Sequence, residues 1–242
     1  MTPITIIPAR MASTRLPGKP LADLHGKPMI VRVCERAALA DLGPVLVAAA
    51  EIEVAQAVSE AGYEAILTDP ALPSGSDRVF AALEAFDPDG NYDMVINLQG
   101  DMPTIDPTAL SALAPGLETG ADITTLTAAI TDETEREDPN VVKIALAADN
   151  RALYFSRAAI PYDDGPLFHH IGVYAYRRAA LERFVSLPPS QLETRERLEQ
   201  LRALEAGMRI DCAILNGEPP NGVDTPADLD AARNWYQERG LT

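Results

Sequence analysis

The stretch IIPARMASTRLPGKPL, residues 6–21, ends an apolar run at Pro8 and then places Arg10, Arg15 and Lys19 within ten residues. The run that feeds it, ITIIP (4–8), reads as a buried strand, so the cationic loop hangs from that strand's carboxyl end. KPMIVRVCERAALA (27–40) reads as a helix, with Pro28 near its first turn, where a missing N–H costs little. The alternation continues: strand PVLVAAA (44–50), helix EIEVAQAVSEAG (51–62), short strand EAILT (64–68), helix SDRVFAALEAF (76–86). The most apolar strand, YDMVINLQ (92–99), and a helix over 106–118 with Pro107 at its start complete the series. Strand–helix–strand repetition with short connections predicts an α/β fold with a mostly parallel, helix-covered sheet.

After residue 120 the rhythm changes. DITTLTAAI (122–130), VVKIALAA (141–148), ALYFS (152–156) and HIGVYAYR (170–177) read as strands close together, an added mixed or antiparallel section. Helices are expected over 178–186 and 192–206, a strand over 209–215 and a closing helix over 225–240. The acidic run ITDETERED (130–138) reads as a solvated connection. The 242 residues are therefore expected to form one domain in three parts, 1–120, 121–215 and 216–242.

Hydrophobic residues make up 47% of the chain, enough for a sizeable core. No apolar run is long enough to span a membrane, which needs about 20 residues. The segment MTPITIIPAR lacks the basic-then-apolar pattern of a signal peptide. The two cysteines, Cys34 and Cys212, are expected to be buried free thiols. A soluble cytoplasmic protein is the expectation. The formal net charge of −16 argues against a nucleic-acid partner. It also means that an anionic ligand must be held by local positive charge.

In a parallel α/β sheet, ligands sit beyond the carboxyl ends of the strands, and three polar clusters fall there. The first is the opening loop. Its Gly18-Lys19 pair is no phosphate loop of the Walker type, since Ser13 and Pro20 stand where Gly and Ser or Thr are required. Nor does one glycine make a dinucleotide fingerprint. Arg forks between small residues (Ala9, Ala12, Ser13, Gly18) suit phosphate oxygens, and an exposed basic loop is the other reading. The second is NLQGDMP (97–103). Gly100 frees the backbone to turn, and Asp101 is a hard carboxylate of the kind that holds Mg²⁺ beside phosphates. An ordinary strand-terminating turn is its alternative. The third is GVDTPADLDAA (222–232). Thr225, Pro226 and Asp228 read as a helix start, with Asp228 as part of the cap and Asp224 freer before it. Ser74, Gly75 and Arg78 open the helix at 76 and are available to a ligand. His170, Gly172, Tyr174 and Tyr176 share one face of their strand, a polar and aromatic face suited to a pocket or interface. Three histidines without matching spacing make no zinc site, and no Ser-His-Asp order appears.

The blocks IIPARMASTRLPGKPL, INLQGD, PNVVKI, ALYFSRAAIPY, HHIGVYAYR, LEQLRALEAGMRI and GVDTPADL, in this order, resemble the 3-deoxy-manno-octulosonate (Kdo) cytidylyltransferases, the CMP-Kdo synthetases, over residues 4 to about 233. The resemblance implies a GT-A-like nucleotidyltransferase fold, with a nucleotide-binding part in 1–120, a sugar-acid and dimerisation part in 121–215, and a homodimer. It implies transfer of CMP from CTP to the anomeric hydroxyl of Kdo, release of pyrophosphate, and a product used in lipopolysaccharide assembly. Arg10, Arg15 and Lys19 should grip the triphosphate. The Pro8 and Ala9 backbone, with Ser74, Gly75 and Arg78, should surround cytosine and ribose. Asp101 and Asp224 should bind Mg²⁺, and Arg10 and Lys19 join them as catalytic residues. Gln99, Arg157, His170, Tyr174, Glu199 and Gln200 should line the sugar-acid pocket. Two departures stand out. Met102 takes a position where the family often has Glu, and the 162–168 segment, YDDGPLF, is shorter than in relatives. Another acid sugar, an 8-amino Kdo or a nonulosonic acid, is the alternative acceptor.

Overall fold

The structure, a computed structural model, describes residues 1–162, 165–217, 219–220 and 222–241. Its contacts divide the chain into two units, Met1–Ser111 with Pro220–Thr242, and Ala112–Pro219. These limits differ from the sequence-based parts at 120 and 215.

In the first unit, β1 (Pro3–Ala9) leads to α1 (Met29–Ala38), β2 (Val45–Ala49), α2 (Ile52–Glu60), β3 (Glu64–Leu67), α3 (Gly75–Phe86), β4 (Met94–Asn97) and α4 (Pro107–Ser111). The four strands are parallel in the order β3-β2-β1-β4. The chain thus builds outward from β1 on one side and returns to its other side with β4. That reversal opens a crevice at the carboxyl ends of β1 and β4, where α/β sheets place their ligands. Ile4, Ile6, Ile7, Leu46, Val47, Val95 and Ile96 are fully buried under the helices. Each contributes roughly 1.5–3 kcal/mol relative to exposure.

The expected helix over 106–118 is two short helices. Pro115 lacks an N–H and Gly116 weakens the turn, so α4 ends at Ser111 and α5 (Ala114–Glu118) starts anew. Gly116 has a packing reason: a Cβ there would meet Thr124 Cγ2 at 2.4 Å. Because α4 packs on α1 and α5 on the strand that follows it, the unit boundary falls between them.

The second unit continues with β5 (Ile123–Ala129), α6 (Glu133–Glu137), β6 (Lys143–Leu146), β7 (Ala152–Ser156), β8 (Phe168–Arg177), α7 (Arg178–Ser186), α8 (Gln191–Glu196), α9 (Gln200–Glu205) and β9 (Ile210–Leu215). β5 runs antiparallel to β8 and parallel to β9, and β6 and β7 form an antiparallel hairpin, so the section is mixed. The acidic run 130–138 holds one turn of helix, α6, capped by the Asp132 side chain. The helix expected over 192–206 breaks at Arg197, which is left-handed (φ 56°) and ends α8.

The chain then re-enters the first unit through α10 (Pro226–Glu238). Val223, Leu229, Ala232 and Tyr236 pack there with Leu24 and Met29. Tyr236 donates to the Pro103 carbonyl at 2.7 Å, and Arg32 lies 4.7 Å over its ring. Cys34 and Cys212 are buried and free, and burial pushes both thiols up to about 12.

Candidate active site

β1 ends at Ala9 and the cationic loop follows. Met11 N–H donates to Glu51 at 2.9 Å, which ties the loop to the start of α2. Gly18 adopts φ 71° before a single 3-10 turn at Lys19–Leu21, a conformation that glycine tolerates without strain. Lys19 Nζ thereby reaches Asp101 Oδ2 at 2.6 Å and Asp224 Oδ1 at 3.0 Å, while Arg15 holds Asp224 Oδ2 at 2.8 Å. Burial alone would lower the Lys19 ammonium's pKa, but the two carboxylates beside it raise it overall.

Asp101 is placed by close backbone packing. A Cβ on Gly100 would stand 2.9 Å from the Pro8 carbonyl oxygen, so only glycine lets the turn after β4 pass this close to β1. The Asp101 carbonyl accepts from Val223 N–H at 2.8 Å, which docks the 222–224 segment against it. Asp228 closes a capping box with Thr225 and also accepts from Asp224 N–H at 3.0 Å. Those bonds hold its carboxyl below the usual range although burial opposes them. The Asp224 side chain faces the cleft instead.

The cleft is about 400 Å³. Pro8, Ala9, Arg10, Arg15, Lys19, Ser74, Gly75, Arg78, Gln99, Asp101 and Asp224 all line it, so the structure brings together every first-unit residue singled out from the sequence. Their bonding differs. Arg10 is exposed. Ser74 caps α3 through Asp77 N–H. Arg78 is buried and donates to Thr68 Oγ1 at 2.5 Å and to the Asp69 carbonyl at 3.2 Å. Burial lowers its pKa, and nearby Arg10 adds to that. Gln99 donates to Asn97 at 3.0 Å.

The other five candidates lie in the second unit. Arg157 donates to the Glu196, Pro139 and Arg197 carbonyls at 3.0, 2.8 and 3.4 Å, so its guanidinium clamps backbone. His170 is buried, with Nε2 3.0 Å from Thr125 Oγ1 and its ring edge-on to Phe155 at 4.8 Å. Burial drops its pKa to about 3, so the imidazole is neutral. Tyr174 lies 5.5 Å from the His170 ring and 6.0 Å from Tyr176, which bears the expected aromatic face out. Burial raises the Tyr174 hydroxyl well above its ordinary value. Gln200 opens α9 and is buried, and Glu199 sits 3.7 Å from Arg202.

A cytidylyltransferase family model matches residues 4–210. The chain is 58% identical over 239 residues to the 3-deoxy-manno-octulosonate cytidylyltransferase of Paramagnetospirillum magneticum, covering 96% of this chain and 97% of that one. It is 60% identical to the Parvibaculum lavamentivorans enzyme of the same name, over 99% and 94% of the two chains. The chain belongs to the 3-deoxy-manno-octulosonate cytidylyltransferases. A solved CMP:2-keto-3-deoxy-manno-octonic acid synthetase in complex with CTP superposes on this member of the family with TM-score 0.92 at 39% identity, covering 99% and 100% of the chains. A glucose-1-phosphate thymidylyltransferase from Bacillus anthracis, TM-score 0.69 at 17% identity over 98% and 96%, shares the fold alone.

Several positions in this cytidylyltransferase were not singled out from the sequence. Thr14, Leu72 and Pro73 also line the cleft. The small-residue spacing of the opening loop was the available signal for Thr14. Lys143 is fully buried and donates to the Asp138 and Arg157 carbonyls at 2.6 and 3.3 Å. Its place in PNVVKI was the signal, but its carbonyl partners depend on tertiary structure. Met102, one of the two departures from the family pattern, is buried at 7% exposed. Asp163 and Asp164 of the short 162–168 segment lie outside the described residues, while Leu167 is buried.

The donor set suits Mg²⁺. Asp101 and Asp224 offer hard oxygen donors beside a cationic loop, and no cluster of three or more His, Cys, Asp or Glu stands among the described residues. A two-carboxylate site leaves the remaining positions to waters and phosphate oxygens, as Mg²⁺ prefers.

Proposed function

We propose that the protein transfers CMP from CTP to the anomeric hydroxyl of Kdo, forming CMP-Kdo and releasing pyrophosphate. One observation carries this reading. Three cations and two carboxylates converge at the β1–β4 switch point of a chain 60% identical to enzymes of that name.

Two anionic substrates must meet, so mutual repulsion is the main obstacle. Arg10, Arg15 and Lys19 lower it by pairing with the triphosphate. The Pro8 and Ala9 backbone, with Ser74, Gly75 and Arg78, holds the base and ribose. On family likeness we assign Gln99 in the first unit, and Arg157, His170, Tyr174, Glu199 and Gln200 in the second, to recognition of the sugar acid. No side chain serves as a nucleophile. The chain aligns the sugar hydroxyl with the α-phosphorus, and that positioning supplies much of the rate. Asp101 and Asp224 would hold Mg²⁺, and the bound ion would supply charge neutralisation at the phosphates and acidify the attacking hydroxyl.

We assign the product to lipopolysaccharide assembly and the protein to the cytoplasm as a homodimer, on family likeness. Among the described residues no helix is long and apolar enough to cross a membrane. The deciding assay is pyrophosphate release from CTP and Kdo, with and without Mg²⁺, against other nucleotides, 8-amino Kdo and N-acetylneuraminate. Release with another acid sugar but not with Kdo overturns the assigned acceptor. Light scattering tests the dimer.

A further inference from the structure

Asp101 and Asp224 share one cation. Lys19 Nζ stands within 3.0 Å of an oxygen of each, and Arg15 covers the second oxygen of Asp224. The Lys19 side chain is only 16% exposed, so water screens the contact weakly. An ammonium bridging two carboxylates at this distance stands where a divalent ion would sit to use the same oxygens. Overlap and charge repulsion forbid both at once.

We infer that Lys19 is an exchangeable internal cation: a divalent ion enters the carboxylate pair only as Lys19 leaves it for the triphosphate. The inference rests on the cleft being the CTP and metal site. Lysine suits the exchange because its ammonium is a point charge on a flexible stem, able to swing between partners. Metal alone must displace two charge-assisted contacts and gains no third His, Cys, Asp or Glu ligand among the described residues. CTP removes the competitor by drawing the ammonium to its own oxygens. Metal and nucleotide therefore strengthen each other's binding by the same factor, as linkage requires.

Mn²⁺ binding to the whole protein, followed by loss of the free-ion EPR signal with and without CTP, tests this. Lys19→Met binds Mn²⁺ alone roughly tenfold tighter than wild type, the order expected when two partly shielded contacts no longer compete. It also gains less from CTP. Lys19→Arg keeps the competing charge and stays near wild type. Lys19→Gln, milder for folding, moves in the same direction as Lys19→Met. Variants that bind Mn²⁺ alone no tighter than wild type overturn the exchange. Failure of the underlying reading shows separately: Asp101→Asn then binds Mn²⁺ with CTP as wild type does.

Discussion

Gly100→Ala perturbs the site by one methyl group. The added Cβ would lie 2.9 Å from the Pro8 carbonyl oxygen and 3.2 Å from Ile30 Cδ1. Ile30 is fully buried, and β1 is held between β2 and β4, with Pro8 opposite Ala48. Neither wall yields freely, so the turn after β4 retreats by a few tenths of an ångström. Overpacking of this kind costs about 1–3 kcal/mol. A chain of this size loses roughly 2–4 °C per kcal/mol, so the melting midpoint falls by roughly 2–12 °C. The shift passes to the next residue, Asp101, whose carboxylate is 2.6 Å from Lys19 and whose carbonyl holds Val223. Turnover drops on the order of tenfold, because placement is what the site supplies. The assays are thermal unfolding and pyrophosphate-release kinetics, with Gly222→Ala as the comparison. A Cβ on Gly222 meets nothing nearer than Asp101 Oδ1 at 3.9 Å, so that variant stays within about 0.5 kcal/mol of wild type. A Gly100→Ala protein that melts and turns over like wild type refutes the close-packing reasoning.

Asp101→Asn and Asp224→Asn each lower kcat on the order of 10²-fold in steady-state assays with Mg²⁺, and near wild-type turnover in either removes that residue from the metal site. Thr125→Val leaves His170 Nε2 without its 3.0 Å partner, so stability in urea drops by about 1–3 kcal/mol. His170, held down to about 3 by burial, titrates near 6.5 once unfolded. The unfolded chain therefore binds more protons than the folded one between about 3 and 6.5. Stability rises with pH across that window, by up to about 1.4 kcal/mol per unit. His169, also lowered by burial and by Lys143, adds a slope of the same sign. Urea midpoints from pH 5 to 7 show a flatter slope in His170→Gln than in wild type, and an unchanged slope removes His170 from the effect.

The alternating half of the fold was legible because each element carries its own local signal. Apolar runs ended at glycine, proline or a capping residue, and β1 to β4 pair as parallel strands. The breaks at Leu113 and Arg197 were less visible. Proline and glycine inside 106–118 permit a break without requiring one, and a left-handed arginine carries no compositional mark. At the site, residue type and strand-end position singled out Arg15, Lys19 and Asp101, whereas the pairing of Asp224 with Asp101 came from the family resemblance. What Arg78 and Arg157 hold was not readable, because both grip backbone carbonyls. A carbonyl is present at every position, so only tertiary structure selects which one a guanidinium meets.

The carboxylate pair is split along the chain. Asp101 precedes the whole of the second unit, and Asp224 follows it. On the ribosome, the four strands of the first unit's sheet are made long before Asp224. Until then Lys19 has one of its two carboxylate partners, and neither Val223 nor α10 is there to cover Asp101, Leu24 and Met29. A chain interrupted before residue 224 carries the cationic loop without the second carboxylate that Lys19 and Arg15 share.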